Sequence, residues 1–282
     1  MLQSNIFGKR KWYVLALIAG LLLFQTACAT ASKQPVAQQE PASAVAHEEK
    51  HWGYTGDVGP AYWYTLDPAY AIAKDGKAQS PINIVTGDLV ANDALQKPVL
   101  HYHETRFEVE NNGHTIECLP IHDDENYITI DAQQYILQQF HFHAPSEHQI
   151  DGVYADMEVH LVHKDAQGNL AVVGILIRGG QENVLLRELF TKLPKEVTSE
   201  ETLVHLEGLI DLSGLFTGND ETMYRYDGSL TTPPCSEGVK WSVAVQPIEL
   251  SAAQITAFKT LYTGNNRPVQ NLHDRRVFLA RE

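Results

Sequence analysis

Residues 138–143 read Gln-Gln-Phe-His-Phe-His, with two imidazoles two positions apart and a phenylalanine before each. A repeat of two is the repeat of a strand, because successive side chains in an extended chain point to opposite faces. His141 and His143 therefore share one face, and Phe140 and Phe142 share the other. One face is suited to burial. The other carries either half of a metal site or an ordinary polar strand surface, and the hexapeptide alone leaves both open.

Residues 157–163, Met-Glu-Val-His-Leu-Val-His, alternate in the same way. Glu158, His160 and Val162 fall on one face, and Val159, Leu161 and His163 on the other. A third imidazole thus stands mid-strand with a carboxylate two residues before it, where it can orient a metal-bound histidine. Gly168-Asn169 marks a turn. The apolar run from Leu170 to Ile177 fits a buried central strand.

The rest of the domain is strand-rich. Extended segments are expected at residues 99–103, 106–110, 114–119, 127–130, 135–137 and 241–245. Asn111-Asn112-Gly113 is a turn signal, and Pro145 ends strand pairing just before Glu147. His101 and His103 form a second alternating pair, but no third ligand follows them. Helices are few. The apolar spacing predicts one over 184–193, stopped by Pro194, and another behind the capping box Ser251-x-x-Gln254, ended by Gly264. Ser229-Leu230-Thr231-Thr232-Pro233-Pro234-Cys235 is a stiff loop that presents two hydroxyls.

The N-terminus reads as an export signal over 1–28. Lys9-Arg10-Lys11 precede an apolar run over 12–24 that is short for a membrane span of roughly 20 residues. Cys28 follows small residues, as in a bacterial lipoprotein signal where that cysteine is lipidated, although Gln25 stands where Leu is usual. Cleavage near Ala27 or Ala29 and an uncleaved anchor are the alternatives, and each exports the chain. The protein is then periplasmic or on the cell surface, meeting membrane only through this end. Residues 29–50, rich in Ala, Gln, Pro, Ser and Glu, read as a flexible tether. The formal net charge of -14 argues against nucleic acid as a partner.

Taken in order, the motifs resemble those of the α-class carbonic anhydrases over nearly all of 51–282. The matching landmarks are His51-Trp52-Gly53-Tyr54, Gln79-Ser80-Pro81-Ile82-Asn83-Ile84, Asn111-Asn112-Gly113-His114, Gln139-Phe140-His141-Phe142-His143 and Ser146-Glu147-His148. They continue through residues 158–163 and 229–234 to Asn266-Arg267-Pro268-Val269-Gln270. The resemblance implies a mainly β single domain: a large twisted, mostly antiparallel sheet with a few short surface helices. It implies Zn2+ on His141, His143 and His160, with one open position where water becomes hydroxide near neutral pH and attacks carbon dioxide to give bicarbonate.

Further roles come with the resemblance. Gln139 would hold His141, Glu158 would hold His160, and a backbone carbonyl near Asn265-Asn266 would hold His143. Thr231 would pass its hydrogen bond to Glu147 and orient the hydroxide. The backbone amide of Thr232, or of Thr231 itself, would donate to substrate oxygen. His114 would carry the proton out, and its ordinary pKa near 6.5 suits that task. Tyr54 would order cavity water, and Val162, Val172, Leu230 and Trp241 would form the apolar wall that receives carbon dioxide. Sulfonamides and anions are the expected inhibitors, and a homodimer is left open. His148 and His163 read as structural.

Two positions depart from the family's pattern. Exported members often pair the cysteine at Cys235 with one at the position of Ala73, so that disulfide is in doubt and Cys118 and Cys235 are expected to be free thiols. Ala144 replaces a common Trp. Other readings are a non-catalytic binding module on the same fold, an esterase using the same hydroxide, and a structural zinc site, which would need a fourth ligand that the sequence does not offer.

Overall fold

The apolar run that begins at Leu170 becomes the strand Leu170–Gly179, whose residues from Ala171 to Ile177 are buried. In the computed structural model the described residues are 51–121, 125–216 and 222–281, apart from the side chains of 93 and 94. The export signal, Cys28 and the tether expected over 1–50 lie outside them.

Leu170–Gly179 lies inside a sheet of thirteen described strands. On one side it pairs antiparallel with Met157–Lys164, which pairs antiparallel with Gln133–His143. Ile116–Pro120, Phe107–Asn111 and Val204–His205 continue outward. On its other side Leu170–Gly179 runs parallel to Glu237–Ala244, followed by Met223–Ser229, Phe278–Arg281 and Val90–Gln96. The pairs made with Glu237–Ala244 and Ile248–Leu250, and that of Phe278–Arg281 with Val90–Gln96, are parallel. The rest of this sheet is antiparallel, as expected.

Strict alternation does not run the length of Gln133–His143. Val162 faces Gln139 and His163 faces Leu137, so Gln138 is passed over: a β-bulge. Odd-numbered Tyr135 and Leu137 are buried before it, and even-numbered Phe140 and Phe142 after it. The bulge lets one strand keep a continuous apolar face while His141 and His143 turn the other way. Phe140 meets Phe107 edge-on at 5.1 Å, and Phe142 meets Phe190 at 5.3 Å. A second apolar cluster, around Val172, Tyr226 and Trp241, takes in the partly buried Val162 and Leu230.

The helix Ala252–Leu261 has the expected capping box, with Ser251 and Gln254 bonding each other's backbone N–H. The helix expected over 184–193 is shorter, Arg187–Thr191. Its first turn is lost because Asn183 is tied down: its N–H donates to Gln254 Oε1 (3.0 Å), and its C=O accepts from Gln254 Nε2 (2.8 Å). The same glutamine thus caps one helix and fixes the approach to the other.

Candidate active site

Register brings the three candidate imidazoles together. His160 stands directly across from His141, and Glu158 across from His143. Facing residues of an antiparallel pair lie on the same side of the sheet. The three histidines offer ring nitrogens that all lie within 4.8 Å of one another. The neighbouring strand makes room for this with a glycine: a Cβ on Gly174, which faces His160, would come 2.9 Å from Glu158 Oε1.

One nitrogen of each ring already has a polar neighbour within 2.9 Å. His141 Nδ1 donates to Gln139 Oε1 at 2.8 Å, and His143 Nδ1 donates to the carbonyl of Asn265 at 2.7 Å. His160 Nε2 lies 2.9 Å from Glu158 Oε1, in an off-axis approach that falls short of a full hydrogen bond. These contacts place the protons and leave Nε2 of His141, Nε2 of His143 and Nδ1 of His160 with their lone pairs. His143 Nε2 is buried and has no hydrogen-bond partner. A buried polar atom left so is costly, and a cation between the rings would satisfy it. Burial holds all three imidazoles below their ordinary pKa, His143 at about 4. Neutral imidazole is the form that binds metal, so the donor set fits a divalent ion such as zinc.

A second group, His148, Glu158 and His160, also lies within reach of one ion, but hydrogen bonds already use it up. Glu158 Oε2 accepts the backbone N–H groups of Glu147 and His148, both at 2.8 Å, and Oε1 accepts from His148 Nδ1 at 2.7 Å. Burial would raise the Glu158 carboxyl, but His148 and His160 outweigh it and hold it well below the usual range. Tyr226 then donates to His148 Nε2 at 2.7 Å and meets Ser80 Oγ at 2.9 Å. His163 is on the opposite face, with its Nε2 2.9 Å from the Tyr102 hydroxyl. Both histidines are held by hydrogen bonds away from the centre that His141, His143 and His160 share. His101 stacks on Tyr127 and joins no metal-binding group among the described residues.

Glu147 reaches the same centre. Its Oε1 accepts the backbone N–H of Arg267 at 2.7 Å. Its Oε2 is 3.5 Å from His143 Nε2 and 3.8 Å from His160 Nδ1 and makes no hydrogen bond. Burial pushes this carboxyl up to about 7, although His160, Arg267 and the adjacent Thr231 hydroxyl pull against it. Thr231 is buried, and Thr232 closes its turn by accepting Cys235 N–H at 2.8 Å. Val172 faces Val162 on one neighbouring strand and Trp241 on the other, and Leu230 packs against the same cluster, so these four apolar residues lie together.

His114 follows the turn at Gly113, whose φ of 86° favours glycine. Its ring stacks on Trp52 at 3.7 Å, with His51 stacked 5.0 Å away. Burial, and next the His51 charge, lower its pKa. Asn265 clamps this turn to the ligand strand, donating from Nδ2 to the carbonyls of His114 (3.2 Å) and Phe142 (3.0 Å). Tyr54 lies edge-on to Trp52 and Trp63 in a small aromatic cluster with Cys235. Cys118 and Cys235 are both free and buried, as expected, and Ala73 packs into the Cys235 cluster.

Sequence reasoning gave no role to Arg267, which is buried. Its guanidinium donates to Gln79 Oε1, Ser80 O and Ala73 O, which fixes the backbone N–H that Glu147 accepts. The signal was an arginine inside an otherwise irregular Pro-containing stretch.

The family model described as eukaryotic-type carbonic anhydrase matches residues 58–281. A carbonic anhydrase of Klebsiella pneumoniae is 42% identical over 228 residues, which cover 80% of this chain and 90% of that protein. A carbonic anhydrase of Nostoc sp. is 39% identical over 232 residues, covering 82% and 86%. Among solved structures, the α-carbonic anhydrase of Thermovibrio ammonificans in complex with the inhibitor sulfanilamide superposes with a TM-score of 0.76 at 42% identity, covering 81% of this chain and 98% of that one. Dioscorin complexed with ascorbate superposes with a TM-score of 0.75 at 29% identity, covering 83% and 99%. The fold, the histidine triad's setting and these likenesses agree: the chain belongs to the eukaryotic-type, or alpha, carbonic anhydrase family.

Proposed function

We propose that this carbonic anhydrase hydrates carbon dioxide reversibly to bicarbonate at a zinc ion held by His141, His143 and His160, with His114 as proton carrier. The observation that carries the reading is the triad of closely set imidazoles, with Nδ1 of His141 and Nδ1 of His143 engaged in hydrogen bonds and His143 Nε2 buried without a partner. Zinc bound there would act as a Lewis acid and lower the pKa of a water at its open position from about 15.7 to about 7.

The chain's own residues do the rest. Gln139, the Asn265 carbonyl and Glu158 hold the three rings at fixed tautomer and angle. The Thr231 hydroxyl accepts a hydrogen bond from the attacking oxygen and directs its own proton to Glu147, so an oxygen that carries no proton is disfavoured. Val162, Val172, Leu230 and Trp241 exclude water where carbon dioxide waits, and the amide of Thr232 or Thr231 donates to a substrate oxygen. Tyr54 orders water on the path outward, and His114 takes the proton to the rim. Sulfonamides and small anions would compete for the same centre.

Export through residues 1–28, with lipid on Cys28 tethering the enzyme at a membrane, is part of the same proposal. The basic, apolar and small-residue order of that segment supports it.

Stopped-flow carbon dioxide hydration tests the catalytic reading. Activity should vanish after dialysis against a zinc chelator and return with zinc, and His141→Ala should lose both zinc and activity. Hydration untouched by the chelator, or full zinc content in His141→Ala, overturns the metal assignment. Zinc binding without hydration favours the binding-module reading that the likeness to dioscorin keeps in view.

A further inference from the structure

A cavity of about 340 Å³, containing none of the three candidate metal-binding histidines, is lined by Arg225, Tyr226, Lys240, Arg275, Arg276 and Phe278; of these only Tyr226, through its bond to His148, also belongs to the network behind the candidate active site. Arg225 lies in the strand Met223–Ser229, between Ser242 and Phe278, and is 5% exposed. A guanidinium carries five N–H donors. Arg225 Nη1 donates to Gln96 O at 2.7 Å, and Nη2 stands 3.6 Å from the Asp131 carboxylate, too far for a hydrogen bond. Among the described residues no other hydrogen bond uses this guanidinium. It is an almost buried charge that lines the cavity, ion-paired with Asp131 at 3.6 Å but with most of its donors outside any hydrogen bond among the described residues.

The other charges around the cavity decide what it can take. Arg275 donates to the carbonyl oxygens of Leu272, Asp227, Gln79 and Asn271, so no carboxylate neutralises it by direct contact. Arg276 is exposed at the rim and makes no hydrogen bond or ion pair with the described residues. Lys240 is bonded to Asp227 at 2.8 Å. Asp131, Asp227 and Asp274 also line the space, but they do not converge. Among the described residues, only the two histidine groups bring three metal-ligating side chains within reach of one ion. A cation therefore finds no cage of oxygens, whereas an anion finds a guanidinium with most of its donors outside any such hydrogen bond and a second arginine at the rim.

We propose that this cavity is a second binding site, for a small oxyanion held by Arg225 and closed over by Arg276. Two oxygens on one centre match the flat edge of a guanidinium, where each receives a charge-assisted hydrogen bond. Carboxylate, bicarbonate, sulfate and phosphate share this chemistry. The chain's net charge of -14 opposes the approach of any anion, so retention depends on the buried donor and not on the surface field.

Calorimetric titration at low ionic strength tests the site, using acetate, bicarbonate, sulfate and inorganic phosphate in turn. Sodium chloride is the control, and sulfanilamide first saturates the candidate active site. Saturable binding is expected for at least one oxyanion, and the four arms tell which. Arg225→Gln should weaken it about tenfold and Arg276→Gln about threefold, with sulfanilamide binding unchanged. Crystals soaked in sodium selenate should show an anomalous peak beside Arg225. No saturable binding beyond chloride, equal binding in both variants, or selenate found only elsewhere overturns the proposal. If Arg225→Gln does not fold, Arg276→Gln decides. If sulfanilamide does not bind, the catalytic metal reading is what fails, and the oxyanion titration stands by itself.

Discussion

Glu117 stands directly across from His141 on the neighbouring strand, so a carboxyl lies on the same side of the sheet as the imidazoles. It accepts a hydrogen bond from Asn112 Nδ2 at 3.0 Å, and Asn112 Oδ1 accepts the N–H of His114 at 2.9 Å. Burial, and then the adjacent Glu110 carboxylate, push Glu117 up to about 7, while Asn112 pulls it down.

That shift makes Glu117 a pH-dependent liability. Its ordinary value is 4.5, so the folded chain binds this proton more tightly than the unfolded chain. The stability tied to the proton is full below about 4.5 and is lost as pH rises through about 7. In zinc-free protein, Glu117→Gln should add about 1–2 kcal/mol at pH 8, after discounting for its partial exposure, and almost nothing at pH 4.5. Thermal melts at both pH values measure this, and an equal gain at both refutes it.

His114 is predicted to matter when buffer is scarce. His114→Ala should slow turnover about tenfold or more in weak buffer, and added imidazole should restore it. The lowered pKa of His114 keeps more of it in the neutral, proton-accepting form than an ordinary histidine would show at the same pH. If neither form responds to buffer concentration, His114 carries no proton.

Ala73 and Cys235 share one packed cluster, so Ala73→Cys should form a disulfide on oxidation. Closing so long a loop is worth about 2–4 kcal/mol, a rise in Tm of about 5 °C or more for a domain of this size. Thiol titration and melting with and without reductant check both parts. Two free thiols after oxidation would show that the Cβ atoms do not align.

Cys28→Ala should abolish labelling by radioactive palmitate in a bacterial host and move the enzyme from the membrane fraction to the soluble periplasm. Unchanged fractionation would leave an uncleaved anchor as the tether.

Much of the site was legible because the two histidine strands repeat every two residues. Parity alone put His141 with His143, put Glu158 with His160, and turned His163 away. What parity could not supply was which strand lies beside which. Glu117 is one more polar residue until its register with His141 is known. Arg267 gains meaning only from carbonyls near residue 80, far off in sequence. The helix expected over 184–193 lost its first turn to Gln254, a partner about seventy residues away. Local propensity cannot register such a competitor.

The bulge at Gln138 sets a different kind of constraint. Its side chain makes one local bond, to the carbonyl of Ile136 at 3.0 Å, so many residues would serve there. The chain needs a residue to be spent at that point, whatever its identity. Losing one position would leave the composition almost untouched, yet it would exchange inside for outside along half the strand, putting Tyr135 and Leu137 in the cleft or the imidazoles in the hydrocarbon. Position 138 should thus accept substitution freely and deletion not at all.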